Sequence, residues 1–232
     1  MQPFAVLGSG SWGTALALVL ARNGHAVRLW GHNPEAIEQM AQAGCNQRYL
    51  PDVPLPDSIE PQPDLAAAVR EAQAVLVVVP SGAFHAVIQQ LARVITPGTP
   101  VVWATKGLDA AGGGLLHTLA ASALPGHPLG VLSGPSFAGE VARGLPTAVA
   151  LASEPGDCAE QLASAFHDGR CGGETAREVV GVELGGAGKS VLAIATGIAD
   201  GLGCGGHAGG GLITRGLAEV SRLGVKMGAQ GT

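Results

Sequence analysis

Gly8, Gly10 and Gly13 stand in GxGxxG spacing within Gly8-Ser9-Gly10-Ser11-Trp12-Gly13. An apolar run, Phe4 to Leu7, precedes them and a stretch of helical character, Thr14 to Arg22, follows. A strand, a tight glycine turn and an opening helix bring orphan backbone N–H groups and the positive end of a helix dipole to one point, which suits a pyrophosphate. Gly8 permits the turn, Gly10 lets the backbone approach phosphates, and Gly13 lets the helix pack on the strand. The chain has 37 glycines, so spacing alone is weak, but the strand-before and helix-after context is the one a dinucleotide-binding turn requires.

Two lysines offer further chemistry. Lys106, in Thr105-Lys106-Gly107, follows the apolar run Val101–Ala104 and has little room to reach water from a core, so it is expected to point into a ligand crevice. Lys189, in Gly185-Gly186-Ala187-Gly188-Lys189-Ser190, reads as lying near a helix N-terminus, where a cation opposes the dipole and needs a reason. On that helix it would share a face with Leu192, Ala193 and Thr196; a solvated lysine on a loosely formed helix end is the alternative. The segment is not a phosphate loop of the GxxxxGK[ST] type, because Glu183 stands where a glycine is needed. Ser133-Gly134-Pro135-Ser136-Phe137-Ala138 adds backbone donors and hydroxyls at another turn before a helix, suited to a small phosphorylated or hydroxylated substrate. Pro80-Ser81-Gly82-Ala83-Phe84 is a third such turn, with Phe84 either beside a cofactor or in the core.

These positions require a sheet. Apolar runs at Phe4–Leu7, Val27–Trp30, Val75–Val79, Val101–Ala104, Val131–Ser133 and Ala148–Ala152 alternate with helical segments such as Thr14–Asn23, Pro34–Ala43 and Ala83–Val94. The pattern predicts parallel strands covered on both faces, a doubly wound α/β fold of Rossmann type whose ligands bind at the carboxyl ends of the strands. After the second run, Gly31-His32-Asn33 presents neither an acid for a ribose hydroxyl nor a permanent cation, which permits NADP and favours it slightly over NAD. Pro51 to Pro63, rich in proline, reads as a surface loop. The strand signal stops near residue 178. Residues 1–180 are therefore expected to form the dinucleotide-binding domain and residues 181–232 a partial helical substrate and catalytic domain, with helices over Ser190–Leu202 and Leu212–Met227. Glycines in that second region weaken its helices unless packing holds them.

Composition narrows the classes. A net charge of −5 and no basic cluster argue against a nucleic-acid partner. Four cysteines without a CxxC pair and seven scattered histidines suggest neither a disulfide framework nor a metal site, and free thiols fit a reducing cytosol. The N-terminus is expected to belong to the fold from the start, without a basic leader, and no apolar run is expected to approach the roughly 18 residues of a membrane-spanning helix.

With these motifs in order, the chain resembles the bacterial NAD(P)-dependent glycerol-3-phosphate dehydrogenase family. The resemblance rests on GSGSWGTALA at Gly8–Ala17, LWGHN at Leu29–Asn33, ATKGL at Ala104–Leu108, SGPSFAGEVARGLPTA at Ser133–Ala148, VGVELGGAGKS at Val180–Ser190, and GIADGL with LITRGLAE beyond. It implies reversible hydride transfer between NAD(P)H and dihydroxyacetone phosphate, supplying sn-glycerol 3-phosphate for phospholipid synthesis in the cytoplasm. It assigns cofactor contacts to Ser11, Trp12, His32, Lys106 and Ala138, substrate contacts to Lys106, Gly134 and Ser136, and the general acid/base to Lys189. Such a lysine would need its pKa lowered, by burial beside a second cation such as Lys106. The chain departs from the family where GALKN is replaced by Gly186-Ala187-Gly188-Lys189-Ser190 and where Gly205-Gly206-His207-Ala208-Gly209-Gly210-Gly211 stands in place of an asparagine and an arginine. Family members continue beyond Thr232 into helices that complete the substrate domain. Two alternatives follow: a catalytically incomplete dinucleotide-binding module, or another β-hydroxyacid-type dehydrogenase. Exposed helix faces would favour self-association, with a homodimer as one outcome.

Overall fold

The computed structural model describes all residues except 1, 110, 111, 135, 136, 155, 156, 168–170, 177, 231 and 232. In chain order the elements are β1 (Phe4–Leu7), α1 (Ser11–Arg22), β2 (Val27–Trp30), α2 (Pro34–Ala43), β3 (Cys45–Asn46), β4 (Leu50–Pro54), β5 (Ile59–Gln62), α3 (Leu65–Val69), β6 (Ala74–Val77) and α4 (Ser81–Leu91). There follow β7 (Val101–Trp103), α5 (Leu116–Ala123), β8 (Leu129–Ser133), α6 (Ala138–Ala142), β9 (Thr147–Glu154), α7 (Asp157–Phe166), β10 (Cys171–Ala176), α8 (Val179–Gly201) and α9 (Gly206–Lys226).

Eight strands form one sheet in the order β10-β9-β8-β7-β6-β1-β2-β5. From β1 the chain builds one way through β2 to β5, then returns and builds the other way through β6, β7 and β8. The strand order therefore reverses between β1 and β6, where open α/β sheets bind ligands. Side chains alternate across the sheet with the period of two that a strand imposes. Phe4 and Val6 enter the layer with Leu16, Leu20 and Ile37 of α1 and α2; Ala5 and Leu7 enter the layer with Val69, Phe84, Leu91 and Leu116 of α3, α4 and α5. Both faces of the central strands are thus buried, which is why they read as continuous apolar runs.

Four expectations are corrected. Residues 51–63 are not all loop: β4 pairs with β3, and β5 extends the main sheet beside β2, with Pro61 opposite Leu29. Both proline-bearing strands lie at sheet edges, where one side of the backbone needs no partner and a missing N–H is tolerated. The sheet is also not wholly parallel, since β9 runs antiparallel to β8, with β10, a strand the sequence pattern did not suggest, parallel beyond it. The connection between β8 and β9 contains only the five-residue α6, whose rise of about 7.5 Å is too short to carry the chain back along a strand.

The third correction concerns the helical region. α8 starts at Val179, where Glu178 caps it by accepting from the Gly181 N–H at 2.6 Å, so Lys189 lies well inside the helix and the dipole argument for it fails. Its glycines are packing devices. A Cβ at Gly188 would sit 2.8 Å from Val220, and one at Gly216 would run into Leu192, so α8 and α9 approach closely through these gaps and offset the weak helix propensity. Fourth, α8 spans 23 residues with mean hydropathy 1.3, long and apolar enough to cross a membrane by length and composition. Val191, Ile194 and Ile198 lie exposed along it, and Leu202 just past its end.

The tightest steric constraint is at the first turn. Gly8 has φ +126°, and a Cβ there would run into the Val78 carbonyl oxygen. Gly8→Ala is expected to lower the unfolding free energy by about 1–3 kcal/mol, read by denaturant titration; an unchanged midpoint would show that the turn is not held as described.

Candidate active site

The glycine turn ends in a helix whose first donors are left open. Gly10 is the N-cap of α1, with extended backbone and no side-chain hydrogen bond to the first turn. A Cβ on Gly10 would meet nothing within 4 Å, whereas one on Gly13 would run into the Gly8 carbonyl oxygen. Gly13 is therefore glycine because protein fills the space, and Gly10 borders space that protein leaves clear. An uncapped helix N-terminus facing open space fits a diphosphate.

Two clefts meet at this turn. One, of about 390 Å³, is lined by Gly10, Ser11, Trp12, Lys106, Phe137 and Ala138, among others. The second, of about 510 Å³, takes in Gly8, Ser9, Gly10, His32, Asn33 and the segment 45–49. Both include Gly10, Ser11, Val78, Val79 and Pro80, so they form one crevice along the carboxyl ends of β1 and β6. The sequence-derived cofactor residues Gly8, Gly10, Ser11, Trp12, Gly13, His32, Lys106 and Ala138 all line it. Phe84 does not: it is fully buried and packs edge-on against Trp103, with ring centroids 6.0 Å apart.

Lys106 is held by three neighbours. Thr105, buried, donates to the Val79 carbonyl at 2.8 Å and fixes the strand end from which Lys106 projects. The Lys106 Nζ donates to the Gly134 carbonyl at 3.1 Å and lies 5.6 Å from the centre of the Trp12 ring. Gly134, expected to contact substrate, is thus brought to Lys106 through its backbone. Ser136 lies outside the described residues.

α8 crosses the end of this crevice at Gly186, which is buried; a Cβ there would sit 2.8 Å from Ser133 Oγ and 3.9 Å from Lys106 Cγ. Lys189 follows three residues later, close to the same helix face. It lines a cleft with Leu192, Ala193 and Thr196, as the helical spacing suggested, opposite Ile213, Leu217 and Val220 of α9. α8 is tied to the sheet domain through Glu183, whose carboxylate accepts from the His117 N–H at 3.2 Å and pairs with His117 Nδ1 at 2.8 Å. The expected electrostatic roles are exchanged, because Lys189 is exposed and Lys106 is the partly buried member. Burial, and then the Lys189 ammonium, push the Lys106 pKa below its ordinary 10.5.

Several contributing residues were not legible as such. Phe137, exposed, stands at the mouth of the inner cleft; an aromatic directly before a short helix was the available signal. Asn46, buried, donates through Nδ2 to the Ser9 carbonyl at 2.9 Å and to Thr14 Oγ1 at 2.8 Å, pinning the β3–β4 hairpin to the glycine turn. Asn33 caps α2, accepting from the Ala36 N–H at 3.2 Å. Among the described residues no group of three histidine, cysteine or acidic side chains could hold a metal ion.

Comparison with known proteins agrees with this geometry. The family model described as NAD-dependent glycerol-3-phosphate dehydrogenase N-terminus matches residues 3–159, and the corresponding C-terminus model matches residues 178–232. A protein of Thioalkalivibrio sulfidiphilus named glycerol-3-phosphate dehydrogenase [NAD(P)+] is 56% identical over 229 residues, covering 98% of this chain and 69% of that protein. One of the same name from Alkalilimnicola ehrlichii is 53% identical over the same shares. The crystal structure of glycerol-3-phosphate dehydrogenase from Coxiella burnetii superposes with a TM-score of 0.95 at 47% identity, covering 99% of this chain and 70% of that one.

The displaced Lys106 titration gives a test. The folded state holds that proton less tightly than the unfolded chain, so its contribution to stability rises with pH between the folded pKa and 10.5. As pH rises toward 10.5, the unfolding free energy of the wild type is expected to gain on that of Lys106→Met, and to gain less when Lys189→Met is present in both. A flat difference as pH approaches 10.5 would contradict the partial burial of Lys106 beside Lys189.

Proposed function

The chain belongs to the NAD-dependent glycerol-3-phosphate dehydrogenase family, and from that premise we propose how its own residues carry the reaction. The activity is reversible hydride transfer between NAD(P)H and dihydroxyacetone phosphate, giving sn-glycerol 3-phosphate for phospholipid synthesis. The relatives' shared activity does not favour a β-hydroxyacid-type dehydrogenase or a module without turnover.

When bound, the nicotinamide supplies the hydride. Gly8, Gly10 and Gly13 would hold the diphosphate on the first turn of α1, with Ser11, Trp12 and Ala138 toward the nicotinamide and His32 toward the adenosine. The observation that carries this assignment is the open, uncapped helix start at Gly10. Reduction of the ketone develops negative charge on its oxygen. Lys189, whose ammonium is exposed beside the crevice, donates the proton there and takes it back in the reverse direction. Lys106 serves as a fixed positive charge beside the same oxygen and the substrate phosphate, its orientation set by Gly134 and Trp12. Gly134 and Ser136 complete the substrate contacts. Two like charges on neighbouring lysines disfavour each other, and an anionic substrate between them relieves that repulsion.

The division of labour we propose follows 1–180 for cofactor binding and 181–232 for the acid/base helix and part of the substrate site. A homodimer formed through the apolar face of α8 is supported by the exposed Val191, Ile194 and Ile198. A cytoplasmic location is supported by the free thiols of Cys45, Cys158 and Cys204.

The test is NADPH oxidation by the purified chain with dihydroxyacetone phosphate, run beside a direct NADPH titration. Lys189→Ala is expected to lower kcat by about 10²-fold or more while NADPH affinity stays within about twofold, since Lys189 lies off the α1 turn. Unchanged turnover in Lys189→Ala would remove it from the acid/base role.

A further inference from the structure

The outer end of the crevice carries two opposite charges that the sequence order kept apart. Glu35 lies in the first turn of α2, and Arg48 lies in the link between β3 and β4, yet both line the cleft of about 510 Å³ with Gly8, Ser9, Gly10 and His32. The turn Gly31-His32-Asn33 alone had shown neither an acid nor a permanent cation at this end. Among the described residues neither charged group has an ion-pair partner within 4.0 Å, so both are available to a ligand.

The hairpin that carries Arg48 is firmly placed. Asn46, two residues earlier, is buried and bonded to the Ser9 carbonyl and to Thr14 Oγ1. The Leu55 N–H donates to the Gly44 carbonyl at 2.8 Å and closes the base of the hairpin. The Arg48 guanidinium lies 5.3 Å from the centre of the Tyr49 ring, which gives the planar cation a surface to rest on. The same residues that shape the phosphate turn therefore set the distance of Arg48 from it. At Gly31 a Cβ would run into Ser9 Oγ and come within 2.8 Å of Ile37, so this glycine lets the end of β2 pack closely against the phosphate turn and α2.

We propose that this pair reads the 2′ position of the adenosine ribose, with Arg48 binding the 2′-phosphate of NADP(H) and Glu35 accepting from the 2′-hydroxyl of NAD(H). The proposal rests on a dinucleotide lying across Gly8–Gly13 with its adenosine toward His32. A guanidinium matches phosphate oxygens through two parallel N–H donors, whereas a carboxylate accepts from a hydroxyl and repels a phosphate. With both charges present, each cofactor finds one favourable group and neither is excluded. Arg48 is the specificity-determining residue for the phosphorylated cofactor, and Glu35 limits the preference it creates.

Direct titrations of NADPH and NADH on the full chain, by ligand fluorescence, test this. Arg48→Gln is expected to weaken NADPH by about tenfold or more and to change NADH by less than about twofold. Glu35→Gln is expected to weaken NADH and to strengthen NADPH. Raising salt should weaken NADPH more than NADH in the wild type, and that difference should shrink in Arg48→Gln. As a measurement that needs no variant, adenosine 2′,5′-bisphosphate should displace NADPH from the wild type at lower concentration than adenosine 5′-monophosphate. Equal loss of both cofactors in Arg48→Gln, or equal displacement by the two nucleotides, overturns the assignment of Arg48. Failure of the wild type to bind either cofactor overturns the underlying placement instead.

Discussion

The first turn of α1 leaves backbone N–H groups without intrahelical partners, and its cap residue, Gly10, has no side chain to satisfy them. An N-cap serine or aspartate would normally do so and add about 1 kcal/mol to helix stability. Here Gly10 holds the cap position with nothing within 4 Å of its missing side chain, and Gly8 and Gly13 are pressed against backbone atoms around it. Stability withheld at this turn leaves donors free for an anion. The rest of the sheet domain serves that turn: β1 and β6 flank it, Asn46 holds it from the hairpin side, and Thr105 ties the strand end that carries Lys106 to the β6 end beside it.

A second constraint sets where the acid/base helix runs. α8 reaches the crevice only because Gly186 lets its backbone pass Ser133 and the stem of Lys106. Glu183, buried on the same helix, fixes its height against α5 through His117. Close passage brings two ammonium groups together, and the cost falls on the more buried one, Lys106. A pair of cations held near each other by packing is a poor arrangement for stability and a good one for an anionic substrate whose oxygen gains charge in the transition state. The family matched by residues 3–159 and 178–232 carries out that kind of chemistry on a phosphorylated ketone.

Much of this was legible because local pattern and global fold agreed. β1 and β2 occupy the expected residues, α2 runs from Pro34 to Ala43 as its spacing suggests, and Lys106 points into the crevice as a lysine at a strand end should. Where the pattern misled, tertiary context had overridden local preference. Prolines that discourage a strand are harmless in β4 and β5 at sheet edges, and glycines that discourage a helix become sites of close packing between α8 and α9. Misplacing the start of α8 made Lys189 look like a cation opposing a helix dipole. Arg48 and Asn46 carried no signal at all, because their importance comes from a hairpin folding back onto a motif far earlier in the chain.

The most direct measurement is NADPH affinity and thermal unfolding midpoint for Gly10→Ser. Serine at this N-cap can adopt the observed extended backbone and bond the open donors of α1, so the midpoint is expected to hold or rise. Because those donors and that space are the ones a diphosphate needs, NADPH affinity is expected to fall by about tenfold or more. An unchanged affinity, with the serine in place and the fold intact, would mean that the cofactor's phosphates are not held at the start of α1, and the account built on that turn would be wrong.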